Sequence, residues 1–251
     1  MSAITPIQPS DLDFDHGTFD SAGFAAEALS NWQSLARVID HTLLNPDATR
    51  AQIENLCEEA NRYRFACAVV NPIWVATAVN ALSGTGIPVG AVIGFPLGGS
   101  LMSTLRQEAI AVIRLGAREL DTVIPIGQLK SGNYSAVQHT IHSVVNVAHH
   151  HGTKVKAILE TCLLNTEEKL RGAELAIQAG VDFIQTSTGF STGGATAADV
   201  ALMRGVAGGR CGVKALRGIR TLADVQALLE AGANRIGASA SVAIVQELGA
   251  N

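Results

Sequence analysis

The sequence predicts an α/β fold, a parallel (β/α)8 barrel with a short N-terminal extension, and three observations carry that prediction. Short apolar runs alternate eight times with longer segments whose apolar residues recur at three- and four-residue spacing, the pattern of strands and amphipathic helices. The runs are apolar throughout instead of alternating, so both faces of each strand are covered, as in an all-parallel sheet. The eight units occupy about 215 of the 251 residues, within the range of one such barrel. The competing arrangement is a six- or seven-stranded Rossmann-like open sheet. That fold normally carries G-x-G-x-x-G after its first strand, and none follows the first run here.

Two regions are expected: an N-terminal extension with a lead-in helix over residues 1–36, and the barrel over 37–251. Residues 1 to about 20 are polar and aperiodic, a loose extension, and a helix over 21–36 covers one end of the domain. Strands are expected at 37–44, 65–70, 89–94, 119–124, 155–160, 183–188, 212–216 and 235–239. Helices are expected between them at 48–62, 73–82, 101–115, 134–150, 167–179, 197–206 and 222–231. Asp47 and Thr166 suit helix N-caps, and Pro72 follows the second strand. Gly116, Gly180 and Gly232 each sit between a helix and the next strand, where a left-handed C-cap is easiest without a Cβ.

Bulk properties exclude several functions. With 18 Lys and Arg against 22 Asp and Glu, the net charge is -4, and no basic cluster offers a field for nucleic acid or an anionic membrane. No apolar stretch reaches membrane-spanning length and the N-terminus lacks the features of a secretory signal. Cys57, Cys67, Cys162 and Cys211 form no CxxC pair. They read as reduced, mostly buried thiols of a cytoplasmic protein.

In a barrel of this kind the working residues lie at the C-terminal ends of strands and on the loops that follow. The polar residues there are Asp40, His41, Thr42, Asn71, Asp121, Glu160, Thr161, Gln185 to Thr188, Lys214 and Ser239. Lys214, inside GVKAL, and Asp121, inside ELDTVI, form the strongest ionisable pair. A lysine in an apolar strand needs a partner or a purpose, and burial lowers its pKa toward that of an amine nucleophile. The bland reading is a salt-bridged lysine balanced by a carboxylate. Residues 183–196, FIQTSTGFSTGGAT, with the later RGIRT and GASAS, place glycine-rich turns ahead of helix N-termini. Backbone amides there make an anion site, so a phosphorylated small substrate is expected.

The segments IDHTLLNPDAT, GFPLGGS, ELDTVIPIGQLKSGNY, ETCLLNTEEK, TSTGFSTGGAT and RIGASAS together resemble deoxyribose-phosphate aldolase over nearly all of the chain after the extension. The resemblance implies a metal-free class I aldolase on a TIM barrel. Such enzymes join acetaldehyde and glyceraldehyde 3-phosphate reversibly through a lysine Schiff base, need no cofactor and commonly form homodimers. It also implies a proton-relaying aspartate at Asp121, a second lysine at Lys214 that tunes the first, and a phosphate site around Thr188, Gly189, Arg217, Gly218, Gly237 and Ser239. The Schiff-base position itself falls on Gln185.

That departure decides the expectation. An amide nitrogen cannot form an iminium, so the ordinary mechanism should be lost or severely reduced. Leu216 and Arg217 stand where the family usually has Ser-Gly, adding an apolar wall and a guanidinium. Because the changes gather at neighbouring strand ends, an engineered or specialised active site is expected, with Lys214 as the only amine left to capture a carbonyl. The alternative is a catalytically silent sugar-phosphate binding or regulatory relative. Other candidates are weaker. His149 to His151 are consecutive and do not converge on a metal, and only His41 lies near a strand end. Cys67 and Cys162 are expected to be packing residues, and Ser187 and Ser191 lack a nearby activating histidine.

Overall fold

Eight short strands pair in chain order, each parallel to its neighbours, and the last closes on the first in a computed structural model that describes residues 18–250. They are β1 (Ile39–Leu43), β2 (Cys67–Val70), β3 (Val89–Ile93), β4 (Glu119–Val123), β5 (Lys154–Ile158), β6 (Phe183–Gln185), β7 (Gly212–Leu216) and β8 (Arg235–Ala238). Closure runs through Ile39 opposite Ile236, Asp40 opposite Gly237 and His41 opposite Ala238. Strands β2, β3, β4 and β7 are buried at every position; β2 and β3 therefore read as unbroken apolar runs, whereas β4 and β7 carry Glu119, Asp121 and Lys214 into the interior. The loose extension expected before residue 18 lies outside the described residues.

Helices cover the barrel from outside: α1 (Ser21–Ala28), α2 (Trp32–Ala36), α3 (Arg50–Tyr63), α4 (Val75–Ala81), α5 (Met102–Arg114), α6 (Ile126–Lys130), α7 (Tyr134–His150), α8 (Thr166–Gln178), α9 (Ala197–Ala207), α10 (Leu222–Glu230) and α11 (Ser241–Glu247). The expected single lead-in helix is therefore two. Asn31 breaks it by taking an extended backbone and accepting a hydrogen bond from the Ser34 amide, which caps α2. The first of these helices packs on α10, and the ring of Phe19 lies 4.0 Å beneath the Arg204 guanidinium. That guanidinium holds the carbonyls of Gly208, Cys211 and Gly232 at the end of the barrel where strands begin.

Two caps differ from expectation for the same reason: a cap must reach the third residue of its helix. Thr49, not Asp47, closes a capping box with Gln52 on α3, and Asn165, not Thr166, closes one with Glu168 on α8. The segment expected to be helical from residue 73 opens as a tight 3-10 turn at Pro72–Trp74. Short α6 and α11, and a 3-10 turn at Thr161–Leu163, have too few residues to show a period. Gly116, Gly180 and Gly232 do take positive φ, at 108°, 91° and 110°.

Strands five and six end earlier than their apolar runs. At Glu160 the backbone turns left-handed (φ 56°), and after Gln185 the chain leaves the ladder as a buried loop. That loop remains tied to its neighbours, with the Thr161 amide donating to Thr186 and the Thr186 amide to Lys214. The interior divides in two. Leu44, Cys67, Val69 and Val92, with Phe95 against them, fill the side of β1 to β3 with hydrocarbon. The rest, built from β4, β5, β7 and β8 with Asp40 of β1, is ionic, as described below.

Gly98 pins the loop after β3 against the loop after β4. It has φ 64°, and a Cβ there would overlap the carbonyl oxygen of Ile124. Gly98→Ala combines left-handed strain with a clash against rigid backbone, and we expect it to lower stability by about 2 kcal/mol or more in urea titration.

Candidate active site

At the floor of the barrel, three carboxylates and three cations meet with almost no solvent contact. Lys156 on β5 places its Nζ 2.6 Å from Glu119, 2.8 Å from Asp121 and 3.5 Å from Asp40. Lys214 on β7 places its Nζ 2.6 Å from the other Asp121 oxygen and 2.7 Å from Asp40. Arg235 on β8 grips both Glu119 oxygens at 2.7 Å and brings Nε to 2.7 Å from Asp40. Asp40 meets its cations as close ion pairs outside hydrogen-bond angles. The strand register explains the meeting: Asp121 lies opposite Lys156, and Lys214 opposite Arg235. The formal charges sum to zero, the condition under which buried ions are tolerable.

Their ionisation follows from this geometry. Burial alone would raise the Asp40 pKa, but Arg235, Lys156 and Lys214 outweigh it and hold the carboxyl well below its ordinary value. Asp121 is lowered in the same way, against burial, by Lys156 and Lys214. For Lys156, burial works against the ammonium, yet Asp121, Asp40 and Glu119 prevail and raise its pKa well above normal. Three donor atoms of Asp40, Cys67 and Glu119 lie within 4.8 Å of one another, a spacing that a metal could use. The carboxylate oxygens are, however, already engaged by Lys156, Lys214 and Arg235.

Gln185 ends β6, directly opposite Lys214 in the register. Its side chain is buried, Nε2 donates to the Ser187 carbonyl at 2.8 Å, and Oε1 has no partner. Such an unmet buried acceptor costs about 1–3 kcal/mol. Beyond it, Glu160 organises the TSTG loop by accepting from both the amide and the hydroxyl of Thr188. The Thr188 oxygen in turn accepts from the Phe190 amide at 3.0 Å.

Above this floor opens a cavity of about 440 Å³, and all six residues assigned to an anion site by sequence line it: Thr188, Gly189, Arg217, Gly218, Gly237 and Ser239. Arg220 joins them. Neither Arg217 nor Arg220 has a hydrogen bond or ion pair from its guanidinium among the described residues. Arg217 also holds a left-handed backbone (φ 79°), a conformation that a side chain makes unfavourable.

The structure corrects the expectation that Lys214 is the only amine present, because Lys156 is a second one in the same network. Lys156, Glu119 and Arg235 went unassigned, although KVKAI repeats the pattern of GVKAL: a lysine between apolar neighbours. Asp121 lies within β4 and not at its end. Cys162 is exposed, with Sγ 3.4 Å from the Ser191 hydroxyl, and is no packing residue, whereas Cys67 is fully buried. His41 is buried too, and its Nε2 meets Glu59 at 2.7 Å. Burial lowers its pKa despite that partner. His149 and His150 are exposed on α7, and His149 pairs with Asp182 at 2.9 Å.

A lysine-carboxylate core beneath an anion-suited cavity, at the C-terminal mouth of a (β/α)8 barrel, defines an enzyme scaffold of the aldolase class. The model of the DeoC/LacD family aldolases matches residues 11–247, and the chain belongs to that family. A deoxyribose-phosphate aldolase of Geobacillus sp. (strain WCH70) is 52% identical over 218 residues, covering 87% of this chain and 97% of the relative. One from Caldanaerobacter subterraneus is 50% identical over 222 residues, covering 88% and 95%. The solved tetrameric deoxyribose phosphate aldolase of Aeropyrum pernix superposes with a TM-score of 0.84 at 34% identity, over 91% of this chain and 96% of its own.

Removing one partner of this network strands buried charge. Lys156→Met should cost about 3–5 kcal/mol in chemical denaturation. The pH dependence has a definite sign. Asp40 and Asp121 have lowered pKa values, so their contribution is present above about pH 4 and is lost as pH falls through the folded values. His41, also lowered, adds a loss beginning below about pH 6.5. Lys156, raised, contributes below about pH 10.5 and is lost as pH climbs through its folded value. Denaturation midpoints should therefore be highest from about pH 7 to 10.

Proposed function

We propose that the chain carries out the reversible cleavage of 2-deoxyribose 5-phosphate to glyceraldehyde 3-phosphate and acetaldehyde on a specialised active site, more slowly than its relatives, with Lys214 as the capturing amine. The observation that carries this reading is the register of Lys214 against Gln185 on adjacent strands. It sets an amine beside the position at which the resembled family keeps its own. Two residues further along β7, Leu216 faces the cavity, and its side chain shares with Lys214 the space over Gly237.

The chemistry begins with a proton. Lys214 Nζ pairs with Asp121 and Asp40, and only a neutral amine, free of its extra proton, can add to a carbonyl. Asp121 touches both lysines and is the group placed to accept that proton. Its lowered pKa makes it a reluctant base, which is one reason to expect slow turnover. The amine then adds to C1 of the open-chain sugar, and water leaves to form the iminium. Loss of the C3 hydroxyl proton breaks the C2–C3 bond, and its electron pair forms the enamine while glyceraldehyde 3-phosphate departs. Protonation of the enamine at C2, followed by hydrolysis, gives acetaldehyde and restores the amine.

A second reading is sugar-phosphate binding without turnover. It is favoured by the complete burial and double ion pairing of Lys214. Cytoplasmic residence and assembly as a homodimer belong to the same proposal.

Incubation with acetaldehyde and borohydride, followed by peptide mass spectrometry, should reduce an adduct onto Lys214 and none onto Lys156. If no adduct forms, Lys214 is not the amine, and saturable binding of 2-deoxyribose 5-phosphate without cleavage would then establish the second reading. Gln185→Lys should raise cleavage by roughly two orders of magnitude or more, the scale on which covalent nucleophiles contribute.

A further inference from the structure

The cavity above the ionic floor is amphipathic in a way that a polyhydroxylated substrate does not require. Its cationic edge is formed by Arg217 and Arg220, and its opposite character comes from Leu44, Phe190, Leu216 and Ile219, delivered by the C-terminal ends of β1, β6 and β7 and the loops that follow them. Three of these are nearly sealed from solvent, Leu44 at 8%, Leu216 at 6% and Ile219 at 5% exposure. Leu216 is central. It lies opposite Gly237 in the register. Its Cδ1 and Cδ2 lie 2.7 Å and 3.5 Å from where Cβ atoms of Gly237 and Gly189 would stand. Both glycines are thus covered by one isobutyl group.

Of the other polar side chains on the lining, Thr42 and Thr188 are already committed, while Asn45 and Ser239 stand on the loops after β1 and β8. The Thr42 hydroxyl donates to the Asp40 carbonyl at 3.0 Å, and the Thr188 hydroxyl donates to Glu160. A hydroxyl-bearing carbon set against the Leu216 side chain would lose water to a group that neither donates nor accepts, whereas a methylene there would gain contact. Phe190 extends this apolar surface outward, meeting Phe95 edge to face with ring centroids 5.3 Å apart.

We propose that Leu216 is a specificity-determining residue, and that the cavity takes an organic phosphate monoester with an unhydroxylated carbon chain next to the phosphate in preference to a hydroxylated one. This rests on the reading of the cavity as the substrate's anion site. The guanidiniums of Arg217 and Arg220 hold the phosphate as charged forks, and Leu216 reads the chain attached to it. The left-handed backbone at Arg217 fits that role, because the strain persists where a glycine would relieve it.

The test compares n-propyl phosphate with glycerol 3-phosphate, two monoesters of equal chain length and charge that differ by two hydroxyls, by isothermal titration calorimetry of the full chain. Wild-type protein should bind propyl phosphate about ten-fold more tightly, the order of discrimination expected when a hydroxyl meets an apolar wall. Leu216→Ser should erase or reverse that preference. Arg217→Gly, which removes the charge but leaves the wall, should weaken both ligands by the same factor. Equal affinities in the wild type, a preference for glycerol phosphate, or no binding of either would overturn the proposal. The comparison needs no turnover, and borohydride capture of acetaldehyde needs no phosphate, so either result can fail without the other.

Discussion

Everything in the mouth of this barrel stands on the six-membered ionic network of Asp40, Glu119, Asp121, Lys156, Lys214 and Arg235. These groups come from β1, β4, β5, β7 and β8, so the network ties together most of the circle that the backbone ladder closes. Each ion is tolerable inside the protein only because the others are present. The constraint runs both ways. The strands hold the charges at contact distance, and the charges fix which residues of those strands face inward.

Above the network the structure is governed by which polar groups are spoken for. Glu160 adopts a left-handed backbone and a buried carboxylate to gather the amide and hydroxyl of Thr188, thereby holding the loop that carries Gly189 and Phe190. Arg217 adopts the same strained region of backbone conformation, and its carbonyl accepts from the Ala195 amide at 3.1 Å. Two distorted residues thus position the walls of one cavity, while the regular strands below them supply rigidity.

The barrel was legible in the sequence because buried parallel strands write themselves as unbroken apolar runs, and VGAVI or CAVV admit few other readings. Glycines at helix ends were legible for an equally local reason, the positive φ they take. The true caps were less so, since Thr49 and Asn165 are distinguished from Asp47 and Thr166 only by reach to the third helical residue. For the site, the glycine-rich loops and the Asp121–Lys214 pair could be found from local pattern. The rest of the network could not be found so directly, because Glu119 and Arg235 sit at the entrances of strands, far in sequence from the groups they neutralise. Lys156 carries the same local signal as Lys214, each being the third residue of a five-residue strand with apolar residues on either side. The exposure of Cys162 depends on a turn that leaves no periodic trace.

One consequence of Gln185 concerns the electrostatics it leaves behind. Three anions already match three cations beneath it, so a neutral amide fits without disturbing the balance. A cationic side chain at the same place would add a positive charge to a network whose own anions are already engaged. The cheapest escape for such a group is to shed its proton, which is the state an amine needs in order to attack a carbonyl. The interior therefore favours a neutral amine over an ammonium at this position.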